Sequence, residues 1–247
     1  MNRLAIDIEG TKTQIEITGI DSVFGITLCC SVLNEEDNMK DFIEWHKPYV
    51  DKVVVVDGGS IDKTFEIASK MADKVIMSKF TGHYGNHKNR AIENAMTGWV
   101  LFLDPDERLS KKTLESLNSL TYQEEHDCYS FKRENLIDGE ADLSHGDDYQ
   151  VRLFRSYCRY VRPVHEELVG FKCMKKFPND CGFFISHKKK SERHKKRNFN
   201  YVIFESVFLR ELGAPGSQTL DSFTSRYKDV LGVVFSAIKL GGANGKT

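Results

Sequence analysis

The first half of the chain predicts an α/β fold: a mostly parallel central sheet with helices on both faces. Three observations carry this. Between residues 25 and 110, strand-length apolar runs alternate with stretches of helical period. The runs KVVVVD and WVLFL are apolar without alternation, as strands covered on both faces require. Each of three runs ends abruptly in polar residues, at Asn34-Glu35-Glu36, Asp57-Gly58-Gly59 and Asp104-Pro105-Asp106. In parallel sheets, ligands gather at the carboxyl ends of the strands.

The elements follow in order. Residues 1–24 alternate around Glu9-Gly10-Thr11, with Leu4, Ile6 and Ile8 before it and Ile15 and Ile17 after, which predicts a hairpin extension. ITLCCSVL predicts the first core strand. Asn34 then stands where it could cap a helix whose Met39, Phe42, Ile43 and His46 fall at i, i+3, i+4 and i+7, with Pro48 at its end. KVVVVD is the second strand. A helix from about Asp62 to Met71 and the strand KVIMS follow, Asp62 being read as the helix cap. A loop, FTGHYGNH, leads into the helix KNRAIENAM, which Gly98 would stop before WVLFL. Ser110 is the expected cap of a helix bearing Leu114, Leu117 and Leu120.

Beyond that helix the pattern loosens into the strand candidates CYSFKREN, YQVRLFRS and CGFFIS and the loop RPVHEELVG. From Lys188 a basic run precedes YVIFESVFL and an amphipathic helix carrying Phe223, Tyr227, Val230, Leu231, Val234 and Ile238. The expected organisation is a 1–24 hairpin, a 25–187 domain divided at 110/111, and a 188–247 basic and helical region.

Composition narrows the function. The 247 residues are 40% hydrophobic and 29% charged, enough for a sizeable core, and the formal net charge of −1 argues against nucleic acid as partner. No apolar run reaches the roughly 18 residues of a spanning helix, and the N-terminus lacks the apolar core of a signal peptide, so a cytoplasmic location is expected. Six cysteines without zinc spacing are read as reduced thiols.

The chemistry concentrates in WVLFLDPDERLS, where a buried strand delivers Asp104, Asp106 and Glu107 to one loop. Such carboxylates suit a hard cation, Mg2+ or Mn2+, that keeps open positions for phosphate. A solvated turn after a core strand is the alternative.

ITLCCSVLNEED, VVVVDGGSIDKT, KNRAIENA and VLFLDPDERLS resemble, in order and spacing, the N-terminal half of family 2 glycosyltransferases of the Rossmann-like GT-A fold. With the later RLFR and HEEL, the chain looks most like small bacterial enzymes that add a hexose to the lipopolysaccharide inner core. The resemblance covers roughly residues 25 to 187. It implies a nucleotide-diphosphate sugar donor, a saccharide or lipid-linked acceptor, a divalent cation (Mn2+ or Mg2+) and an SN2-like displacement.

The resemblance also implies site roles. Asn34 and Glu35 would face the base and ribose, Asp57 the base, and Asp104 the ribose or the metal. Asp106 would be the direct metal ligand, with Pro105 fixing the turn between the two aspartates. Helix capping, a first-turn carboxylate and a turn residue are the alternatives for Asn34, Glu35 and Asp57. The chain has Asp-Gly-Gly where many relatives have Asp-Asp-Gly, so a second acidic contact is missing. Lys88 and Arg90 would approach the diphosphate, or lie on a solvated helix face. His83 and His87 are read as ordinary loop residues.

An inverting transferase needs a carboxylate to take the acceptor proton. Glu166 matches the family's base, with Glu167 its alternate and His165 an orienting group. Arg152 and Arg155 would support that loop, bind acceptor phosphate or face solvent. His187 is the candidate third metal ligand, with a buried structural histidine as its alternative. Glu107 is expected to support the metal loop or the acceptor side rather than act as base. The basic run and last helix suggest peripheral contact with an anionic membrane face, or packing on the domain or a second subunit.

Three other readings meet obstacles in the sequence. A sugar-phosphate nucleotidyltransferase would need a Gly-rich triphosphate cradle where NEED stands. A binding module without turnover would not need the full acidic set. AIDIEGTKT is similar to the phosphate hairpin of actin-like sugar kinases, but Glu9 replaces its glycine and no second kinase motif follows.

Overall fold

A computed structural model describes residues 23–143, 146–163 and 165–191, together with the backbone of two strands at the N-terminus. Those strands, β1 (Arg3–Ile8) and β2 (Thr11–Glu16), pair antiparallel as the expected hairpin. The core strands are β3 (Ile26–Val32), β4 (Lys52–Asp57), β5 (Lys74–Met77) and β6 (Trp99–Phe102). They alternate with helices α1 (Glu36–His46), α2 (Thr64–Met71) and α3 (Tyr84–Glu93). After β7 (Glu107–Leu109) and α4 (Lys111–Thr121) come β8 (Cys128–Ile137), β9 (Glu140–Ala141), β10 (Tyr149–Arg155), β11 (Arg159–Val161), β12 (Glu167–Val169), β13 (Met174–Lys176) and β14 (Phe184–Lys189).

The main sheet runs β5-β4-β3-β6-β10-β8-β14-β7. Its first four strands are all parallel, and β10 enters antiparallel to both β6 and β8. The chain steps outward from β3 to β4 and β5, then returns to the other side of β3 with β6. That reversal is a topological switch point at the carboxyl ends of β3 and β6, where ligand crevices form in such sheets.

Both faces of the parallel half are covered, which explains the unbroken apolar runs. Leu28, Val53, Val55 and Leu101 meet Phe42 and Ile43 of α1 and Leu117 of α4 in one core. Cys29, Val54, Val56, Val100 and Phe102 meet Ala91 and Ile92 of α3 in the other. The predicted stripe of α1 is entirely buried. Its last member, His46, bridges α1 to β7: Nδ1 donates to the Phe42 carbonyl and Leu109 N donates to Nε2. Burial pulls the His46 pKa down to about 3, so the ring stays neutral in this role.

Several expectations hold and several shift. Ser110 caps α4, accepting from Thr113 N at 3.2 Å. Asp62 accepts from Thr64 N at the start of α2 and from Glu36 N at the start of α1. Asn34 does not cap α1; it takes a left-handed φ of 56° and accepts instead from Ile61 N. Helix α3 begins four residues before KNRAIENAM, because the His83 side chain accepts from Asn86 N and caps it. The helix ends at Glu93 with Asn94 as its C-cap, and Gly98 serves close packing instead, since a Cβ there would lie 2.0 Å from the Val23 carbonyl oxygen.

Strand β14 starts at Phe184 rather than at Cys181 and continues through Lys189, paired with β8. The 187/188 boundary therefore cuts a strand, and Lys188 and Lys189 are not helical. The remaining basic run and the amphipathic segment, residues 192–247, lie outside the described residues. No disulfide links the six cysteines, and among the described residues no helix is long and apolar enough to cross a membrane.

Candidate active site

The ends of β3, β4 and β6 bring Asn34, Glu35, Asp57 and Asp104 to the crevice rim. Asp57 is fully buried. Its Oδ1 accepts from Gly59 N at 2.8 Å and Ser60 N at 2.7 Å, the turn role foreseen as its alternative, while Oδ2 is buried without a hydrogen-bond partner. A buried carboxylate oxygen left unpaired is costly and marks a place for a ligand donor. Gly58 explains the missing second acid: a Cβ there would press on His87, Phe80 and the Val32 carbonyl oxygen at 3.2–3.3 Å. Asn34 and Glu35 mainly build the rim. Asn34 N donates to Ser60 Oγ at 2.9 Å, Glu35 N to Thr64 Oγ1 at 2.7 Å, and Glu35 Oε2 accepts from Asn38 Nδ2 at 2.8 Å.

The DPDE loop is a tight turn, with Glu107 N donating to the Asp104 carbonyl at 2.9 Å and Pro105 at its second position. Glu107, fully buried, accepts from Arg152 Nε at 2.8 Å, Arg152 Nη2 at 2.7 Å and Arg133 Nη1 at 3.3 Å, and also receives Asp104 N at 3.1 Å. Arg152 Nη2 reaches Asp104 Oδ2 at 3.2 Å as well. Arg152 is therefore a buried prop of the DPDE loop, rather than of the HEEL loop, and is not solvent-facing. Burial would lower its pKa, but Glu107 and then Asp104 hold it well above the usual value. Arg155 lies over Trp99, 4.3 Å from the ring centre.

Asp106 points the other way, toward β14. His187 is fully buried, with Nε2 3.1 Å from Asp106 Oδ2 and Nδ1 2.8 Å from Asn135 Oδ1. Asp104, taken up by Arg152, is not brought to this pair, and among the described residues no three acidic, histidine or cysteine side chains converge on one point. The expected trio thus divides, because the first and third residues of this tight turn project in different directions. The remaining pair still fits a hard divalent cation. Such ions are usually held by one or two protein groups plus waters and substrate phosphates, and octahedral ligands at about 2.1 Å stand about 3 Å apart.

On the opposite wall, Lys88 Nζ lies 3.3 Å from Glu166 Oε1, both side chains 11% exposed. Lys88 also sits against the rings of Phe102 and Tyr160, at 5.6 and 5.0 Å. Burial would lower its pKa, but Glu166 and then Asp104 raise it, so the ammonium stays charged. Helix α3 is locked to the chain before the HEEL loop. Asn89 exchanges two 2.8 Å hydrogen bonds with the Tyr160 backbone, and Tyr84 N donates to the Pro163 carbonyl at 2.8 Å. Gly85 permits this, since a Cβ would lie 2.5 Å from the Arg162 carbonyl oxygen.

Other candidates stand apart. Arg90 lies on the solvent face of α3, 3.6 Å from Glu93 Oε2, which is the solvated reading. Glu167 is exposed on β12, 3.2 Å from Arg162 Nη2. His165 has a left-handed φ of 51°. His87 packs on Phe80, with Nε2 3.0 Å from the Ser78 carbonyl oxygen. An open cleft of about 900 Å³ lies beside Asp106, lined among others by Trp45, Lys111, Phe184 and Lys188.

Arg133, Asn135 and Asp148 were not singled out from sequence. The available signal was the i, i+2 pair Arg133 and Asn135 on one face of a strand that opens apolar.

Acidic residues at the switch point of a sheet whose first half is parallel and whose second half is mixed, entered through an antiparallel strand, define the GT-A class of nucleotide-sugar folds. The profile described as glycosyl transferase family 2 matches residues 27–194, and the chain belongs to that family. It is 31% identical over 143 residues to a TPR repeat-containing protein of Synechococcus elongatus, covering 57% of this chain and 34% of that protein. It is 28% identical over 138 residues to an uncharacterized glycosyltransferase of Rickettsia conorii, covering 56% and 47%. The chain thus spans a third to a half of the length of these curated relatives. A crystal structure of residues 1–349 of S. aureus TarS in complex with UDP-GlcNAc superposes with a TM-score of 0.53 at 14% identity, covering 73% of this chain and 66% of that one.

Proposed function

We propose that the protein is a metal-dependent inverting glycosyltransferase that moves a hexose from a nucleotide-diphosphate sugar, a UDP-sugar first, to a saccharide or lipid-linked acceptor. The observation that carries this reading is the reach of Glu166, from the second half of the chain, to Lys88 at the strand-end crevice of the first half. In this reading a proton-accepting carboxylate from one half of the chain stands beside a diphosphate-binding cation from the other.

In this reading Asp57 Oδ2 accepts from the nucleobase and Lys88 binds the diphosphate. Glu166 takes the acceptor proton on the face opposite the leaving group. Asp106 and His187 would hold Mg2+ or Mn2+, which when bound neutralises charge on the departing nucleoside diphosphate. Asp104, held by Arg152, lines the ribose side. The UDP-GlcNAc complex of TarS supports a UDP-sugar donor. Cell-surface polysaccharide or lipopolysaccharide assembly, at the cytoplasmic face of a membrane, is the matching role; binding of the full chain to anionic liposomes tests its membrane part.

The deciding experiment is a thermal-shift screen of UDP-, GDP-, ADP- and CMP-sugars with and without Mn2+ or Mg2+, followed by transfer assays. The expected outcome is metal-dependent stabilisation by a UDP-sugar, lost with EDTA, and transfer abolished in Asp106→Asn. Pyrophosphate release from a nucleoside triphosphate and a sugar phosphate would instead make the protein a nucleotidyltransferase.

A further inference from the structure

The Asp106–His187 pair raises a question of protons: which nitrogen of His187 carries hydrogen? The surrounding contacts answer it. Asp148 Oδ2 accepts from Arg133 Nε at 2.8 Å and from Asn135 Nδ2 at 2.8 Å. A carboxylate paired with a guanidinium only accepts, so the Asn135 amide must turn its NH2 to Asp148 and its oxygen to His187. That oxygen lies 2.8 Å from His187 Nδ1 and has no hydrogen to give. Nδ1 must therefore be an N–H, and in the neutral ring Nε2, 3.1 Å from Asp106 Oδ2, carries the lone pair.

Two acceptor atoms at that distance repel unless a second proton or a cation lies between them. His187 is fully buried and Asn135 nearly so. Nor can the amide turn round, because its oxygen would then face the Asp148 carboxylate. Burial pushes the Asp148 pKa up, but Arg133, then Asn135 and Gln150, outweigh it and hold it at about 2.

We propose that Asn135, anchored by Asp148, is the positioning residue that fixes His187 in its Nδ1–H form and so presents Nε2 beside Asp106 to a divalent cation. This rests on the metal reading above. Histidines that bind metals characteristically donate their other ring N–H to such an acceptor, and removing it typically costs 10- to 100-fold in metal affinity. The anchor also couples the metal edge to the nucleotide side: Arg133 joins Asp148 to Glu107, which holds Arg152 and, through it, Asp104. Its residues come from β8, from the segment before β10, and from β14, so the cation edge is assembled by the second half of the chain.

The test uses the full chain and Mn2+ alone, with affinity read by titration calorimetry and by the electron paramagnetic resonance of free Mn2+. Asn135→Leu should bind Mn2+ about 10- to 100-fold more weakly than wild type. Circular dichroism confirms that each variant is folded. Independently of any variant's folding, 15N spectra of the metal-free wild type, assigned with His187→Gln, should show the Nδ1–H form.

Wild-type-like affinity in folded Asn135→Leu, or an Nε2–H form in the wild type, overturns the proposal while the metal reading stands. If neither Asp106→Asn nor His187→Gln alters Mn2+ binding, the metal reading itself fails.

Discussion

Arg152 Nη2 lies 2.7 Å from Glu107 Oε1, and the same nitrogen reaches Asp104 Oδ2 at 3.2 Å. One buried guanidinium from β10 thus sets the geometry of a loop that leaves β6, some 45 residues earlier in the chain. The acidic loop is held from the far half of the molecule, and its two aspartates are steered to different partners.

Removing the Glu107 charge should be costly. Glu107→Gln leaves Arg152 and Arg133 without their shared counter-charge, and breaking a buried pair from one side costs about 3–5 kcal/mol. For a domain of this size that lowers Tm by roughly 10 °C. Urea denaturation measures it; a loss under about 1 kcal/mol would mean that the network does not brace the loop.

Lys88 and Glu166 should separate binding from turnover. Glu166→Gln keeps shape and donor affinity but lowers kcat by roughly 10²- to 10⁴-fold. Lys88→Met should instead weaken nucleotide-diphosphate binding while leaving Glu166 in place. Calorimetry with UDP beside initial-rate kinetics distinguishes them, and normal turnover in Glu166→Gln moves the base elsewhere.

Asp57→Asn preserves an oxygen for the Gly59 and Ser60 amides yet replaces the unpaired oxygen with a donor. UDP affinity should fall about tenfold or more, as for a lost charge-assisted hydrogen bond, with little change in Tm. Unchanged affinity would remove Asp57 from base recognition.

The His46 ring supplies a pH signature. Its folded pKa, about 3, lies below the ordinary 6.5, so the unfolded chain binds the proton first. Its contribution is complete above about pH 6.5 and declines as pH falls toward 3, by at most about 1.4 kcal/mol per pH unit. His46→Gln, which cannot charge, should show a flatter stability curve between pH 6.5 and 4. A curve parallel to wild type would mean that His46 is not held neutral.

How much of this was legible beforehand follows the range of the forces involved. The apolar runs of β3, β4 and β6, the buried stripe of α1, the Ser110 cap and the Pro105 turn depend on residues a few positions apart, and the sequence alone determined them. It also singled out Asp57 and Asp106 as site candidates from strand-end position, and Glu166 and His187 from the family resemblance.

Only the tertiary structure decided which of these meet. Strand β14 lies between β8 and β7, and that pairing sets His187 beside Asn135 and Asp106 while Asp104 turns to Arg152. Arg90 turns to solvent while Lys88, two residues earlier on the same helix, is buried against Glu166. Partners separated by 45 to 81 positions meet through strand order, side-chain facing and the burial of charge, none of which a local pattern encodes.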